Sequence, residues 1–168
     1  MALCDLLLRL AEEPAVYRPL WSERILTEMT KALKTKLHRS SEEVAWRRQQ
    51  MKEAFPEAMV TVPSALLKAV ECIPDKNDRH VLAAAVVAHA NTIITQNRRH
   101  FPKECCEKYG VVCQKPDDFL IDQYHLHGQL VLDKLDNQAA GISQNRAFVV
   151  ASLKPAVPKF CKLLEDSN

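Results

Sequence analysis

The pattern of hydrophobic and polar residues predicts a mainly helical first third of the chain. Leucines recur at helical spacing over residues 2–12, with charged residues on the other face. Ser22 is suited to cap a second helix that runs to about Leu37. Ser40 and Glu43 have the spacing of a capping box, which predicts the start of a third helix.

Short, continuous apolar runs predict buried strands in the middle of the chain. Residues 59–62 are expected to form a short extended segment, and the apolar runs lie at residues 92–95 and 111–113. A short helix is expected between the last two, opening at Pro102 and closed by Gly110. Because a helix between two continuous apolar strands is typical of a βαβ unit, the sequence predicts a parallel sheet.

More helices complete the predicted α/β fold. Ser64 is placed to cap a helix through Val70, and residues 81–88 are apolar on nearly every side, as in a helix packed on both faces. From Pro116 onward the pattern is helical again. It is broken at one glycine and two prolines, namely Gly141, Pro155 and Pro158.

Composition narrows the classes of function. The 168 residues include 23 Lys and Arg against 21 Asp and Glu, and the isoelectric point of about 8.2 is below that of a dedicated DNA-binding module. The sequence has only three glycines and contains neither a GxGxxG nor a GxxxxGK[ST] motif, which excludes a Gly-rich phosphate loop. There is no apolar run of membrane-spanning length and no signal peptide, so we expect no membrane association and a cytoplasmic location.

Six cysteines contain no C-x-x-C motif, and cytosolic chains seldom keep disulfides. We therefore expect buried or half-exposed structural thiols. The alternative is a zinc site, and hence a zinc-binding structural protein, built from His100, Cys105, Cys106 and Cys113.

Polar residues placed around the predicted sheet suggest a metal site. The strand at 92–95 leads to Asn97, Asp78 opens the helix before that strand, and Glu28 lies in the second helix. Carboxylates that converge at a sheet edge suit Mg²⁺ or Mn²⁺. Each residue also has a simpler interpretation: Asp78 as a helix N-cap, Glu28 as a solvated residue, Asn97 as a turn residue and His100 as a surface histidine.

Two longer stretches are more specific. Residues 75–85, DKNDRHVLAAA, followed by residues 93–102, IITQNRRHFP, closely resemble the PIN-domain family, and within it the VapC-like toxin ribonucleases. Supporting segments follow in order at residues 6–12, 17–22, 55–58 and 116–120. The resemblance implies a PIN-like domain over residues 1–120 and a helical C-terminal extension over residues 121–168.

This resemblance implies a three-layer α/β/α sandwich with a short parallel sheet. It implies a metal-dependent endoribonuclease that uses Mg²⁺ or Mn²⁺, acts on RNA and is paired with an antitoxin protein; a homodimer is compatible with it. Carried over by position, Glu28 and Asp78 are metal ligands and catalytic residues, and Asn97 completes the catalytic site. His100 stands where relatives have Asp or His, and three arginines are placed to bind RNA: Arg79, Arg98 and Arg99.

The chain departs from the family pattern at its start. Members of the family begin with a strand that carries a metal-binding Asp, whereas Met1 already lies in the helix that follows, and Asp5 belongs to that helix. We therefore expect either a coding sequence that begins upstream of Met1 or a truncated, inactive copy. The alternative function is a non-catalytic PIN-like interaction module that binds an antitoxin or RNA.

Overall fold

The computed structural model describes residues 2–166 as a mixed α/β protein. The chain forms two compact units. The first comprises the residues up to Arg18, the segment Ile94–Gln96 and the residues from Gln114 onward; the second comprises Pro19–Ile93 and Asn97–Cys113. No helix in the part of the chain that the structure describes is long and apolar enough to span a membrane.

The first unit is a helical assembly. Its helices are α1 (Ala2–Ala11), α7 (Pro116–Ala140), α8 (Arg146–Leu153) and α9 (Pro158–Asp166), and α7 is kinked at His127. The predicted breaks after residue 140 and near the two prolines are confirmed. Side chains from all four helices form one core, whose fully buried members include Leu6, Leu10, Leu120, Leu135, Leu153 and Phe160.

Two buried polar side chains tie this unit together. The Asp117 carboxylate, 7% exposed, accepts hydrogen bonds from the backbone N–H groups of Lys159 at 3.2 Å and Phe160 at 2.8 Å. It thereby caps the first turn of α9, where N–H groups have no partner within the helix. Lys134, 5% exposed, donates from Nζ to the carbonyl oxygen of Glu12 at 2.8 Å, just beyond the end of α1.

The second unit contains five α-helices in its described residues. They are α2 (Glu23–Leu37), α3 (Ser41–Ala54), α4 (Ser64–Ala69), α5 (Arg79–Val87) and α6 (Lys103–Glu107). The predicted caps of the first two are confirmed: Ser22 accepts from the N–H of Ile25, and Ser40 and Glu43 form a full capping box. The predicted cap at Ser64 is wrong, because the helix already begins at that residue and Pro63 holds the cap position.

The strands are short and parallel. β1 (Trp21–Ser22) pairs with β2 (Met59–Val60), with Trp21 opposite Met59. β3 (Thr92–Ile94) pairs with β4 (Val112–Gln114), and their hydrogen bonds advance in the same direction along both strands. The predicted α/β fold with a short parallel sheet and a helical C-terminal part is confirmed, although the strands form two separate pairs. The domain boundary after residue 120 stays a prediction.

The core of the second unit surrounds α5. Leu82, Ala83 and Ala85 of this helix pack with Val70, Ile73, Ile93 and Val111. Burial on several faces confirms the all-round apolar helix expected for residues 81–88. The start of α5 is therefore fixed by a rigid core, and the residues just before it form the site described next.

Candidate metal centre

A polar turn precedes α5 and carries two aspartates. The Asp75 side chain accepts a hydrogen bond from the Asn77 N–H at 2.8 Å, and the Asp78 N–H donates to the Asp75 carbonyl at 3.0 Å. Arg79 then folds back over the preceding segment, donating from Nε to the Ile73 carbonyl at 3.1 Å and from Nη2 to the Glu71 carbonyl at 3.3 Å. These local bonds hold the two carboxylates three residues apart on one side of the turn.

Asp78 stands at the N-cap position of α5, but its side chain makes no capping hydrogen bond. Instead, one carboxylate oxygen lies 2.6 Å from Nδ1 of His100. His100 ends a single turn of 3₁₀ helix, Arg98–His100, that follows β3, and its N–H donates to the carbonyl of Asn97 at 3.1 Å. The interpretation of Asp78 as a simple helix cap is therefore wrong, because its carboxylate is turned toward His100.

Asp75, Asp78 and His100 form a cluster of three potential metal ligands. One ligand atom from each lies within 4.8 Å of the others, and all three residues are half-buried. Two ligands on opposite sides of an ion at about 2.1 Å would be about 4.2 Å apart, so these separations suit a single small cation. Two carboxylates and an imidazole are a donor set that a divalent metal accepts.

Glu28 approaches this turn from α2. Its Oε1 atom lies 3.3 Å from Nε of Arg24, and Nη2 of the same arginine donates to the Asn77 carbonyl at 3.3 Å. Arg24 thus links the Glu28 carboxylate to the backbone between Asp75 and Asp78. The Glu28 side chain is about half exposed, and Arg24 and His80 both contact the same oxygen, Oε1.

His80, the second residue of α5, contacts Glu28 from the core side. The ring is 2% exposed, and its Nε2 lies 3.0 Å from Glu28 Oε1. The two groups are in contact, but neither ring nitrogen has a well-aligned hydrogen-bond partner among the described residues. Burial lowers the pKa of His80 below its usual value, and the charge of Glu28 offsets only part of that effect.

The residues predicted from the sequence thus come together only in part. Asp78 is in the cluster, Glu28 is joined to the same turn through Arg24, and Asn97 begins the 3₁₀ turn that ends at His100. Their assignment as metal ligands and catalytic residues stays a prediction. The sequence analysis did not identify Asp75 or His80 as site residues. Asp75 could have been found, because it lies three residues before Asp78 in a polar turn.

The three predicted RNA-binding arginines differ in their surroundings. Arg98 and Arg99 are exposed on the 3₁₀ turn, and Nε of Arg99 donates to Oδ1 of Asn97 at 3.1 Å. Arg79 is occupied by two backbone carbonyls and by Glu71, and 18% of its side chain is exposed. RNA binding by these residues stays a prediction, and the geometry favours Arg98 and Arg99.

The cysteines do not form the alternative zinc site. Cys72 and Cys105 are joined by a disulfide, contrary to the expectation of free thiols, and His100 faces Asp78. Cys106 and Cys113 have their sulfur atoms 3.5 Å apart, and burial raises the pKa of the Cys113 thiol to about 12.

Comparison with known proteins places this site in a family. The family model described as "PIN domain" matches residues 3–99, more than half of the chain. A Mycobacterium tuberculosis protein named "Putative ribonuclease VapC50" is 50% identical over 50 residues. Those residues amount to 30% of this chain and 30% of the relative, so the chain matches less than a third of the relative's length. No solved structure matches the chain.

The family match covers α1 through the two aspartates of the turn and ends beside His100. It therefore spans most of the elements that build the candidate site, and the α/β fold with short parallel strands agrees with it. On this match the chain belongs to the PIN-domain family.

Proposed function

We propose that this chain is a metal-dependent endoribonuclease and the toxin component of a toxin–antitoxin pair. Its substrate is RNA, its cofactor is Mg²⁺ or Mn²⁺, and its protein partner is a cognate antitoxin. The observation that carries the proposal is the cluster of Asp75, Asp78 and His100 in a PIN domain. The name of the M. tuberculosis relative supports an activity of the same kind.

Asp75, Asp78 and His100 would hold the cation, with Glu28 contributing from α2. When bound, a divalent cation orients a water molecule and neutralises negative charge that develops on a phosphodiester. The imidazole favours Mn²⁺ over Mg²⁺, because Mg²⁺ prefers oxygen ligands and Mn²⁺ also accepts nitrogen. Asn97, held by Arg99, would complete the site at the start of the 3₁₀ turn.

The exposed arginines supply the binding of the RNA backbone. Arg98 and Arg99 directly precede His100, so a phosphate held between their guanidinium groups would lie close to the candidate ligands. Binding of this kind depends on released counterions and therefore weakens as salt increases. The two arginines would orient the scissile phosphate, while the acidic residues hold the cation.

A non-catalytic module that binds RNA or an antitoxin is the second candidate. One observation favours it: Asp78 is paired with His100, and Glu28 with Arg24, so the acidic residues already have basic partners. In this case the chain would bind RNA through Arg98 and Arg99 without cutting it. A homodimer is compatible with either candidate.

The test is a ribonuclease assay on the purified 168-residue chain with a labelled structured RNA. We expect cleavage with Mn²⁺ or Mg²⁺, no cleavage in EDTA, and recovery when the metal is restored. Asp78→Asn should abolish cleavage. Glu104→Gln, which alters an exposed carboxylate elsewhere in the second unit, is the matched control and should leave the rate unchanged.

The two candidates give different results in this assay. Retention of the RNA on a gel without cleavage, at every metal concentration, would support the binding module. Cleavage that continues in EDTA, or at the same rate in Asp78→Asn, would reject the proposed metal-dependent activity.

A further inference from the structure

His80 is a buried polar residue for which core packing gives no explanation. It lies two residues after Asp78, at the start of a helix whose other buried side chains are alanines and a leucine. An imidazole has two polar nitrogens, and leaving them without well-aligned partners in a core is costly, so such groups usually serve a purpose beyond packing. The ring contacts the carboxylate of Glu28.

The contact with Glu28 determines which nitrogen of the His80 ring carries the proton. Since Glu28 Oε1 is an acceptor, the nitrogen that faces it, Nε2, must carry the ring proton. Nδ1 is then the bare nitrogen and has no hydrogen-bond partner in the described part of the chain. The ring therefore presents its N–H to Glu28 from a buried position at the start of α5.

Both basic partners of Glu28 meet the same oxygen. His80 approaches Oε1 from the core, and Arg24 approaches it along the surface of α2. A carboxylate held at one oxygen keeps its other oxygen available in a defined direction, which is how residues around a metal site orient the ligands that contact the ion.

We propose that His80 is a positioning residue that holds Glu28 by Oε1 and so fixes its carboxylate beside the turn that carries the cation site of Asp75, Asp78 and His100. This inference rests on the proposed function, in which Glu28 belongs to the metal site. Arg24 alone is a poor substitute for His80, because its side chain is about 45% exposed and can move in solvent. The His80 ring is buried and cannot move into solvent in this way.

The experiment measures Mn²⁺ affinity of the full chain by electron paramagnetic resonance of the free ion, which needs no activity. His80→Leu removes the donor and keeps much of the bulk. It should weaken Mn²⁺ binding about tenfold to hundredfold, as is usual when a group that supports a metal ligand is lost. His125→Gln, at an exposed histidine of α7, is the matched control and should bind Mn²⁺ as the unaltered chain does.

Two conservative variants separate positioning from packing. The amide nitrogen of glutamine reaches about as far as Nε2, whereas that of asparagine is one carbon shorter and lies near Nδ1. His80→Gln should therefore recover most of the affinity, and His80→Asn should not, although both are polar and both alter the core. Equal affinities for these two variants would overturn the proposal.

A double-mutant cycle with Glu28→Ala gives the decisive result. If His80 acts through Glu28, His80→Leu should cause little further loss of affinity once Glu28 is gone. The same fold-loss in both backgrounds would show that His80 supports only the core and would overturn its role while leaving the proposed function intact. Absence of Mn²⁺ binding by the unaltered chain would instead reject the proposed function and this inference together.

Discussion

Nδ1 of His100 lies 2.6 Å from a carboxylate oxygen of Asp78, although α5 and β3 separate the two residues in the chain. At this distance the two atoms form a hydrogen bond, which the ring nitrogen donates and the carboxylate accepts. A ring nitrogen that holds a proton has no lone pair for a metal ion, so coordination by Nδ1 requires that proton to leave it. The hydrogen bond between these residues and coordination of a cation by Nδ1 are therefore mutually exclusive.

Asp78→Asn should reduce the stabilisation of the fold by Mn²⁺. A ligand at about 100 times its Kd stabilises the folded state by about 2.7 kcal/mol, or roughly 5–10 °C in Tm for a chain of this size. We expect a shift of that order in the unaltered chain and a much smaller one in Asp78→Asn, measured by thermal melting with and without MnCl2. The Glu104→Gln control should shift like the unaltered chain. An undiminished shift in Asp78→Asn would contradict the site assignment.

Cys72→Ser should destabilise the second unit. The disulfide joins residues 33 positions apart, and closing a loop of that size restricts the unfolded chain, which is worth about 2–4 kcal/mol. Urea unfolding in the absence of reductant should show this loss. Dithiothreitol should lower the stability of the unaltered chain to the same extent and have no effect on Cys72→Ser. If the urea midpoint of the unaltered chain is the same with and without dithiothreitol, the disulfide is not present.

Asp117→Ala should destabilise the first unit by about 2–3 kcal/mol, because two N–H groups at the start of α9 lose a buried acceptor. Asp117→Asn keeps one acceptor oxygen and should cost less. The neighbouring Asp118 is the control: it makes a surface ion pair with Lys159, so Asp118→Ala should cost less than about 1 kcal/mol. Denaturant unfolding gives the loss of unfolding free energy in each of the three variants. Equal losses in Asp117→Ala and Asp118→Ala would contradict the capping role of Asp117.

Cys113 and Cys161 should resist alkylation in the folded protein. Burial raises the pKa of Cys113 to about 12 and that of Cys161 to about 11. At pH 8 about one thiol in a thousand or fewer is then the reactive thiolate, and the fraction rises only as the pH approaches the pKa. Peptide mass spectrometry after iodoacetamide treatment should find both unlabelled until guanidinium is added. Rapid labelling of Cys113 in the native chain would be inconsistent with this environment.

Local signals in the sequence predicted much of the fold. Ser22 and the Ser40–Glu43 pair mark helix starts because a capping hydrogen bond spans only three residues. The breaks between the C-terminal helices were predicted from Gly141, Pro155 and Pro158, which also act locally. Ser64 failed because a serine at the first turn of a helix looks the same in sequence whether it caps the helix or lies inside it.

The candidate site was harder to predict because its contacts join distant parts of the chain. Asp78 was identified from its motif, but its contact with His100 joins residues 22 positions apart in the chain. His80 lies in an apolar helix, where its polarity gives no sign of the Glu28 contact. The disulfide was missed for the same reason: the spacing of Cys72 and Cys105 along the chain carries no sign that they are neighbours in space.

Helix α1 shares its core with α7, α8 and α9, so Leu6 and Leu10 are covered by residues more than a hundred positions later. The side chains at the two ends of the described chain must therefore fit each other, and a change at one end affects the packing of the other. Relatives that exchanged only the segment after residue 120 would place new side chains against an old first helix. Stable recombinants should carry both ends from the same parent.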